Sequence, residues 1–588
     1  MAIMTTTRSN TLDLSLPARD RAHLTLVKHN KAQMQLWVNA LPIMNASECG
    51  KQLYQTISEL VSLHIEEDLR FELLDVLQPT IRNLISSLEK HTLNQSLLLA
   101  IQGRRVFALI LALRRQLALN YKVIATETLR KLQGRVGFMD FGRKGAQLLA
   151  ATAIQRMMAE LQCYLLDCFR QYEEKPAGVW TDLHQLIRVA EGQGLADIVI
   201  KVGLNQQDST SIRQTYLAIV FLSASQTQKL RPSEMELIYQ HSQALAALLT
   251  LNTTAKGSLL VCNLDDSSPQ YHHLITTSYE SWYVHSQALA EHVERQINQA
   301  ISTPLPLSLL IHLYETWRAA RERMFERTEC HRNILLCVGM SSAHYYVGGQ
   351  TPFKIVVKGE EKVDEVKQPA FLFGLEEDKV IEEQPDAWQV CYGTVKGIDQ
   401  EIDDNAQQPV VPTMTYMPYR VTAVNRCPAG YGIVWAETPP PTLRVGEIIG
   451  MSEKRGEGWG VGVLHWLRQT SNKTFEAGVE LLDAHPKPCG VCLLKNGKPT
   501  SDYMRGFLIL EMEALERPAT LITINSGLTT HSTVQISING QEVVAQLTKQ
   551  VMATQSLSQF EFALISDKTQ DDDDDDEFNS TAKMWAKV

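Results

Sequence analysis

The sequence predicts a multidomain α plus β protein: an N-terminal all-α helical-hairpin stack or bundle, followed by tandem small β-barrels. Three observations lead there. The chain has 588 residues, too many for one ordinary core. Apolar residues recur at steps of three and four from about residue 28 to 330. Past residue 333 the apolar runs shorten to strand length, each bounded by Gly, Pro or polar turns. Residues 1–20 and 567–588 read as disordered ends and 21–332 as the helical domain. Residues 333–486 read as a barrel carrying an acidic insertion at 359–408, and 487–566 as a second barrel.

The helical stripes are explicit. Leu53, Ile57, Leu60 and Val61 fall on one face, and Leu69, Leu73, Leu74 and Leu77 on another. Pro79 interrupts the second run and marks a first turn or a kink. Pro232-Ser233 opens a later helix, and Gly192 with Gly194 closes an earlier one. No fixed period repeats, so no named solenoid is predicted. The most apolar stretch, SLLLAIQGRRVFALILALRRQLAL, is broken by Arg104, Arg105, Arg114 and Arg115. It falls short of the run of about 18 apolar residues that a membrane span needs.

RNILLCVGMSSAHYYVGG is rich in β-branched and aromatic residues and reads as one or two strands. The insertion that follows is dense in Asp and Glu, the composition of a solvated surface segment. YRVTAVNR, YGIVWAE, EIIGMSE, WGVGVLHWLR and FEAGVELL then read as strands, with VCLLK, RGFLILEME, ATLITIN, STVQISI, EVVAQLTKQ and FEFALIS after them. Asn539-Gly540 carries the residue pair of a type I′ hairpin. Asp571 to Glu577 is an acidic tail whose like charges repel and stay solvated.

Composition excludes several functions. A net charge of -10 and a pI of about 5.9 disfavour unaided binding to bare nucleic acid or anionic lipid. Ten scattered cysteines read as reduced thiols in a cytoplasmic protein. The first residues lack the apolar core of a signal peptide. No nucleophile elbow, P-loop or metalloprotease motif occurs, so no enzyme, catalytic residue or cofactor is predicted. His285 and His292 are expected on one helix face, two turns apart, but two ligands make no metal site. Cys489 and Cys492, with His485 before them, form at most half a zinc site, and Cys492 falls in an expected strand. Gly456, Gly458, Gly460 and Gly462 lead straight into a strand, the setting of a hairpin rather than a phosphate cradle.

The most specific pattern is Asn425-Arg426-Cys427-Pro428-Ala429-Gly430, between YRVTAV and YGIVW. It resembles, with one change, the Asp/Asn-x-Ser-x-x-Gly signature of PilZ domains, small β-barrels that bind cyclic di-GMP. RVGEIIGM and the Gly-Val-Glu of FEAGVELL resemble later PilZ strands. PAGVWTDLHQLIRVAE, VGMSSAHYYVGG and SLSQFEF are similar to segments of an atypical PilZ-like family of proteobacterial proteins with long helical N-terminal regions. The resemblance implies a ligand face built from Asn425, Cys427 and Gly430, with an Arg-x-x-x-Arg pair that in this chain is Arg323 and Arg327. Guanidinium forks suit phosphates and guanine edges. This chain departs from the pattern twice: cysteine replaces serine, and about a hundred residues separate the arginines from Asn425. Arg420 and Arg426 are nearer substitutes.

Two readings follow. The first is a non-enzymatic adaptor with a degenerate PilZ-like module, holding unidentified protein partners on its helical and barrel surfaces. The alternative is a cyclic di-GMP receptor whose ligand reorients the barrel against the helical domain. Neither reading calls for a nucleic acid polymer or membrane insertion.

Overall fold

The computed structural model describes residues 16–565, apart from 94–96, 98, 135–141, 203–208, 264, 276–280, 300–302, 320–325, 360–415, 417, 437, 454–457, 471–473 and 512–517. The expected disordered N-terminus up to residue 15, nearly all of the acidic insertion and the acidic tail therefore lie outside the described residues. The chain divides after Glu322 into a helical unit and a barrel unit.

In the helical unit the long helices Ile101–Gly134 and Arg143–Arg170 pack along each other, with Glu67–Glu89 and Ala46–Ser62 against the first. Helix starts follow the capping residues. Asn30 Oδ1 accepts from Gln33 N, Asn45 Oδ1 from Glu48 N and Ser211 Oγ from Gln214 N. Pro232 occupies the first turn of Pro232–Ala246, and the helix before the glycine pair ends at Gly192, with Gly194 at φ +67°. Pro79 lies inside the continuous helix Glu67–Glu89, so it opens no first turn.

Arg114, which interrupts the most apolar stretch, is buried. Its Nε bonds Asp167 and its Nη2 donates to Glu89 Oε1 at 3.0 Å. Nearby, Glu160 accepts from Arg82 Nη2 at 3.1 Å. The buried Arg114 cation thus meets carboxylates, as the cost of an unpaired buried charge requires.

The helical periodicity conceals a small sheet. Thr250–Asn252, Trp282–His285, Leu260–Cys262 and Gln270–Tyr271 form, in that order, a four-stranded antiparallel sheet. Strands of two to four residues are too short to show alternation. Their presence corrects the reading of the two histidines. His285 ends a strand and its ring faces Thr254 O at 3.2 Å, whereas His292 lies on the helix Gln287–Asn298. PAGVWTDLHQL also acquires a structural role: Asp266 accepts from the N–H groups of Gly178, Trp180 and Thr181 and so caps the helix Val179–Gly192.

The barrel unit begins with β1 (Thr328–Val338), β2 (Tyr419–Cys427), β3 (Gly430–Trp435), β4 (Ile448–Ser452), β5 (Gly460–Gln469) and β6 (Phe475–Asp483). They close into an antiparallel barrel in the order β4-β5-β6-β3-β2-β1. Val421, Ala423, Ile433, Trp435, Leu464, Leu467, Phe475 and Ala477 are buried on these strands. Then follow β7 (Lys487–Lys495), β8 (Met504–Ile509), β9 (Thr520–Ile524), β10 (Thr533–Ile538), β11 (Gln541–Ala553) and β12 (Leu557–Leu564). They pair in the order β7-β8-β9-β12-β11-β10, and β10 returns to β7, closing a second barrel. Asn539 and Gly540 have φ of +51° and +81° between β10 and β11, the two positive angles of a type I′ turn.

One expected strand is a helix. Gly339, at φ +91°, ends β1, and Met340–Val347 then turns as a helix that buries Met340, Ala343 and His344. The spacing of three and four in MSSAHYY outweighs its strand-like composition. This helix is wedged between the barrels. It shares a core with Cys337, Ile448, Val461 and Val463 of the first and Phe507, Ile509, Ile522 and Leu557 of the second. Gly450 lets it approach, since an added Cβ there would stand 3.2 Å from Ala343 Cα. SLSQFEF supplies further contacts: Ser556 Oγ donates to Glu447 Oε2 at 2.7 Å and Leu557 enters the shared core.

Candidate functional site

The candidate site lies on the outer face of the first barrel, and it is made by strand register. β1 and β2 pair antiparallel with Thr328 opposite Arg426 and Glu329 opposite Asn425. The residue that leads into β1 is therefore delivered to the end of β2. Arg327 Nη1 donates to Asn425 Oδ1 at 3.1 Å, across 98 positions of sequence. Arg323 lies outside the described residues.

Asn425 faces outward because of a β-bulge. Ala423, buried inside the barrel, stands opposite Ile433, while Asn425 stands opposite Gly432. Two residues advance on β2 for one on β3. Without the extra Val424, alternation would turn Asn425 to the same side as Ala423. The side chain then lies over Gly432, where an added Cβ would meet Oδ1 at 2.6 Å and Nδ2 at 2.8 Å.

Cys427 and Gly430 face each other across the two-residue turn of Pro428 and Ala429. Cys427 is half-buried and Gly430 is buried. Gly430 has φ +145°, and a Cβ there would come within 2.0 Å of Val479 O on β6. Glycine is needed at this position by backbone angle and by close approach together. Asn425, Arg327, Cys427 and Gly430 thus occupy one end of β1, β2 and β3.

The substitute arginines go elsewhere. Arg426 Nη1 and Arg332 Nη1 lie 3.7 and 3.6 Å from the Glu453 carboxylate, which also accepts from Tyr431 OH at 2.6 Å. Burial and that carboxylate push the Tyr431 hydroxyl up to about 12. Arg420 stands at the far end of β2, opposite Leu335.

The other sequence candidates resolve as structural. Cys489 is buried in the second barrel's core, and burial pushes its thiol far up. Cys492 Sγ donates to Ser501 O at 3.0 Å. Three residues apart on one strand, the two thiols turn to opposite faces. Among the described residues no group of three or more His, Cys, Asp or Glu could hold a metal ion. Gly460 and Gly462 lie within β5, and Gly456 is outside the described residues.

A closed six-stranded barrel with an arginine entering its first strand, and an Asn-x-Cys-x-x-Gly turn between its second and third, is a PilZ-type barrel. The chain belongs to the PilZ-domain proteins that carry a long helical N-terminal region. Three family models match in succession: "Cyclic-di-GMP receptor FimW, N-terminal domain" over residues 32–256, "middle PilZ domain" over 259–488 and "FimW C-terminal beta-barrel domain" over 489–565. The chain is 29% identical to the cyclic-di-GMP receptor FimW of Pseudomonas aeruginosa, over 94% of its own length and 93% of that protein's. No solved structure matches. The name of that relative describes a binding protein rather than an enzyme. No helix among the described residues is long and apolar enough to cross a membrane.

Proposed function

We propose that this chain is a cyclic di-GMP receptor, acting in the cytoplasm, with its ligand on the outer face of the first barrel at Arg327, Asn425, Cys427 and Gly430. The observation that carries the reading is the hydrogen bond from Arg327 to Asn425. Strand register brings the two residues together from 98 positions apart, and the bond holds the guanidinium on the same outer face as the Asn-x-Cys-x-x-Gly turn. The resemblance to a named receptor over nearly the whole chain supports the same reading above that of an adaptor.

The chemistry follows from the side chains. The guanidinium of Arg327 is always charged and forks toward phosphate oxygens. Asn425 orients that fork through its carbonyl and keeps an amide N–H₂ to donate. Gly430 lets β3 close against the Val479 carbonyl of β6 and so holds the turn that carries Cys427 in place. Cys427 is a weaker donor than the serine it replaces, so this position contributes less. Arg323, four residues before Arg327, is the second fork of the pair. Occupancy changes the helical unit only through a difference in affinity between two arrangements of the protein.

Isothermal titration of the full chain with cyclic di-GMP tests the proposal. Saturable binding is expected, weakened ~10- to 150-fold by Arg327→Ala or Asn425→Ala, the worth of one hydrogen bond to a charged group. Folded protein that gives no heat at high micromolar ligand overturns it.

A further inference from the structure

We infer that the connection between the first two helices of the helical unit is a docking tip for an anionic lipid surface, a function separate from the nucleotide site. Of the fifteen large apolar side chains exposed among the described residues, five, Leu26, Leu36, Ile43, Met44 and Tyr54, fall within residues 26–54. Three of them crowd the end of the helix Lys31–Asn39 and the connection after it. Met44 is 96% exposed, Ile43 68% and Leu36 62%. Pro42 between them is also exposed.

The fold does not use these side chains. Lys31–Asn39 is held inward by Met34 and Val38, and Ala46–Ser62 by Leu53, Ile57 and Leu60. Leu41, buried, anchors the connection, and the next three residues stand out from it. Met44 precedes the capping residue Asn45, a position from which an apolar side chain often packs on the fourth residue of the helix. That residue is Cys49, which is already buried, and Met44 leaves it uncovered. Exposed apolar side chains gathered in one place mark an interaction site.

The charges nearby identify the partner. From residue 22 to 62 the charged side chains are Lys28, Lys31, Lys51, Glu48 and Glu59. Both carboxylates are engaged within the chain. Glu48 accepts from Gln52 Nε2 at 2.8 Å, and Glu59 accepts from Thr25 N at 2.8 Å and lies 3.4 Å from Arg21. The three lysines are exposed, and none forms an ion pair among the described residues. Lys31 stands about 8 Å along its helix from Leu36, and Lys51 about 8 Å along from the start of Ala46–Ser62. Free ammonium groups thus flank a projecting apolar tip, the two components of an interfacial anchor.

The shape favours lipid over a folded partner. A side chain as exposed as Met44 projects from the surface, and a rigid partner would need a pocket cut to receive it. The boundary of headgroups and acyl chains takes in any apolar tip, while lysine stems reach up to the phosphates. The net charge of -10 does not prevent this, because charges beyond about 8 Å are largely screened at physiological ionic strength.

Flotation of the full chain with vesicles tests the inference, beside light scattering and a thermal melt of each variant. The wild-type chain should float with vesicles of equal parts phosphatidylglycerol and phosphatidylcholine, and remain behind with phosphatidylcholine alone. Ile43→Ser/Met44→Ser should weaken vesicle binding ~10- to 150-fold, the worth of one large apolar side chain taken out of water. Lys28→Gln/Lys31→Gln/Lys51→Gln should weaken it ~100-fold, about fivefold for each lysine. Both variants should melt like the wild type. No flotation of the wild-type chain, equal flotation with the neutral vesicles, or wild-type binding by either variant overturns the inference. So does a halved mass of the serine variant in light scattering, which would assign the tip to contact between two copies of the chain. Should the serine variant melt early, the lysine variant, whose changes all lie in solvent, decides.

Discussion

Gly432→Ala separates the ligand face from the fold that carries it. Gly432 is buried, but its φ is not positive, so alanine meets no backbone strain. The added Cβ falls 2.6 Å from Asn425 Oδ1, 2.8 Å from Nδ2 and 2.9 Å from Cγ, all of them side-chain atoms. Ordinary contact begins near 3.4 Å. The Asn425 amide must therefore swing aside and take its oxygen away from Arg327. Replacing glycine in a strand contributes roughly 0.5–1 kcal/mol of stability through the unfolded chain. The lost Arg327–Asn425 hydrogen bond is exposed to solvent and its loss costs only about 1 kcal/mol of stability. The melting temperature should hence move by only a few degrees. Binding should suffer much more. Asn425 no longer orients the Arg327 fork, and a hydrogen bond to a charged group is worth about 1.5–3 kcal/mol, or ~10- to 150-fold in affinity. Calorimetric titration with cyclic di-GMP beside a thermal melt reads both quantities. The double variant Gly432→Ala/Asn425→Ala should bind no worse than Asn425→Ala alone, since both changes remove the same contact. Undiminished binding in Gly432→Ala, or additive losses in the double variant, would refute the reasoning.

Gly430→Val should behave in the opposite way. Its φ of +145° costs a non-glycine residue about 1–3 kcal/mol, and the Cβ drives into Val479 O, pushing β3 away from β6. A loss of at least about 3 kcal/mol is expected in urea unfolding. An unchanged midpoint would contradict the placement of this turn. His344 predicts an acid sensitivity of the barrel unit. It donates from Nε2 to Cys489 O at 3.1 Å between the rings of Phe353 and Phe507, and burial lowers its pKa from 6.5 to about 4. The folded state thus prefers neutral imidazole. Its stability is complete above about pH 6.5 and falls as pH drops toward 4, by ~2 kcal/mol at pH 5. His344→Gln can keep the N–H donor without the titration, so it should lose less stability between pH 7 and pH 5. Equal losses in the two proteins, measured by denaturant midpoints, would show that His344 is not the sensitive group.

Much of the candidate site was legible because its signals are local. Asn425, Cys427 and Gly430 stand in one short turn between two strand-like runs, and Arg327 sits where a helical pattern gives way to a strand. That Arg327 reaches Asn425 depends on β1 pairing with β2, a long-range event with no local trace. The helix Met340–Val347 was misread because a run of Tyr, Val and Cys has strand composition, while its burial against both barrels follows a helical spacing. The small sheet around His285 escaped because its strands are too short to alternate. The outward turn of Asn425 escaped because bulges cannot be read from a strand pattern.

The sequence by itself determined the succession of a helical region and a strand-rich region, the turn at Gly430 and the arginine ahead of β1, since periodicity, glycine angles and capping residues act over a few positions. The tertiary structure alone decided which side chains share a face. In a barrel, direction alternates with every residue, and one inserted residue reverses it. Val424 is that residue here, and it turns Asn425 outward over Gly432, which only strand pairing aligns with it.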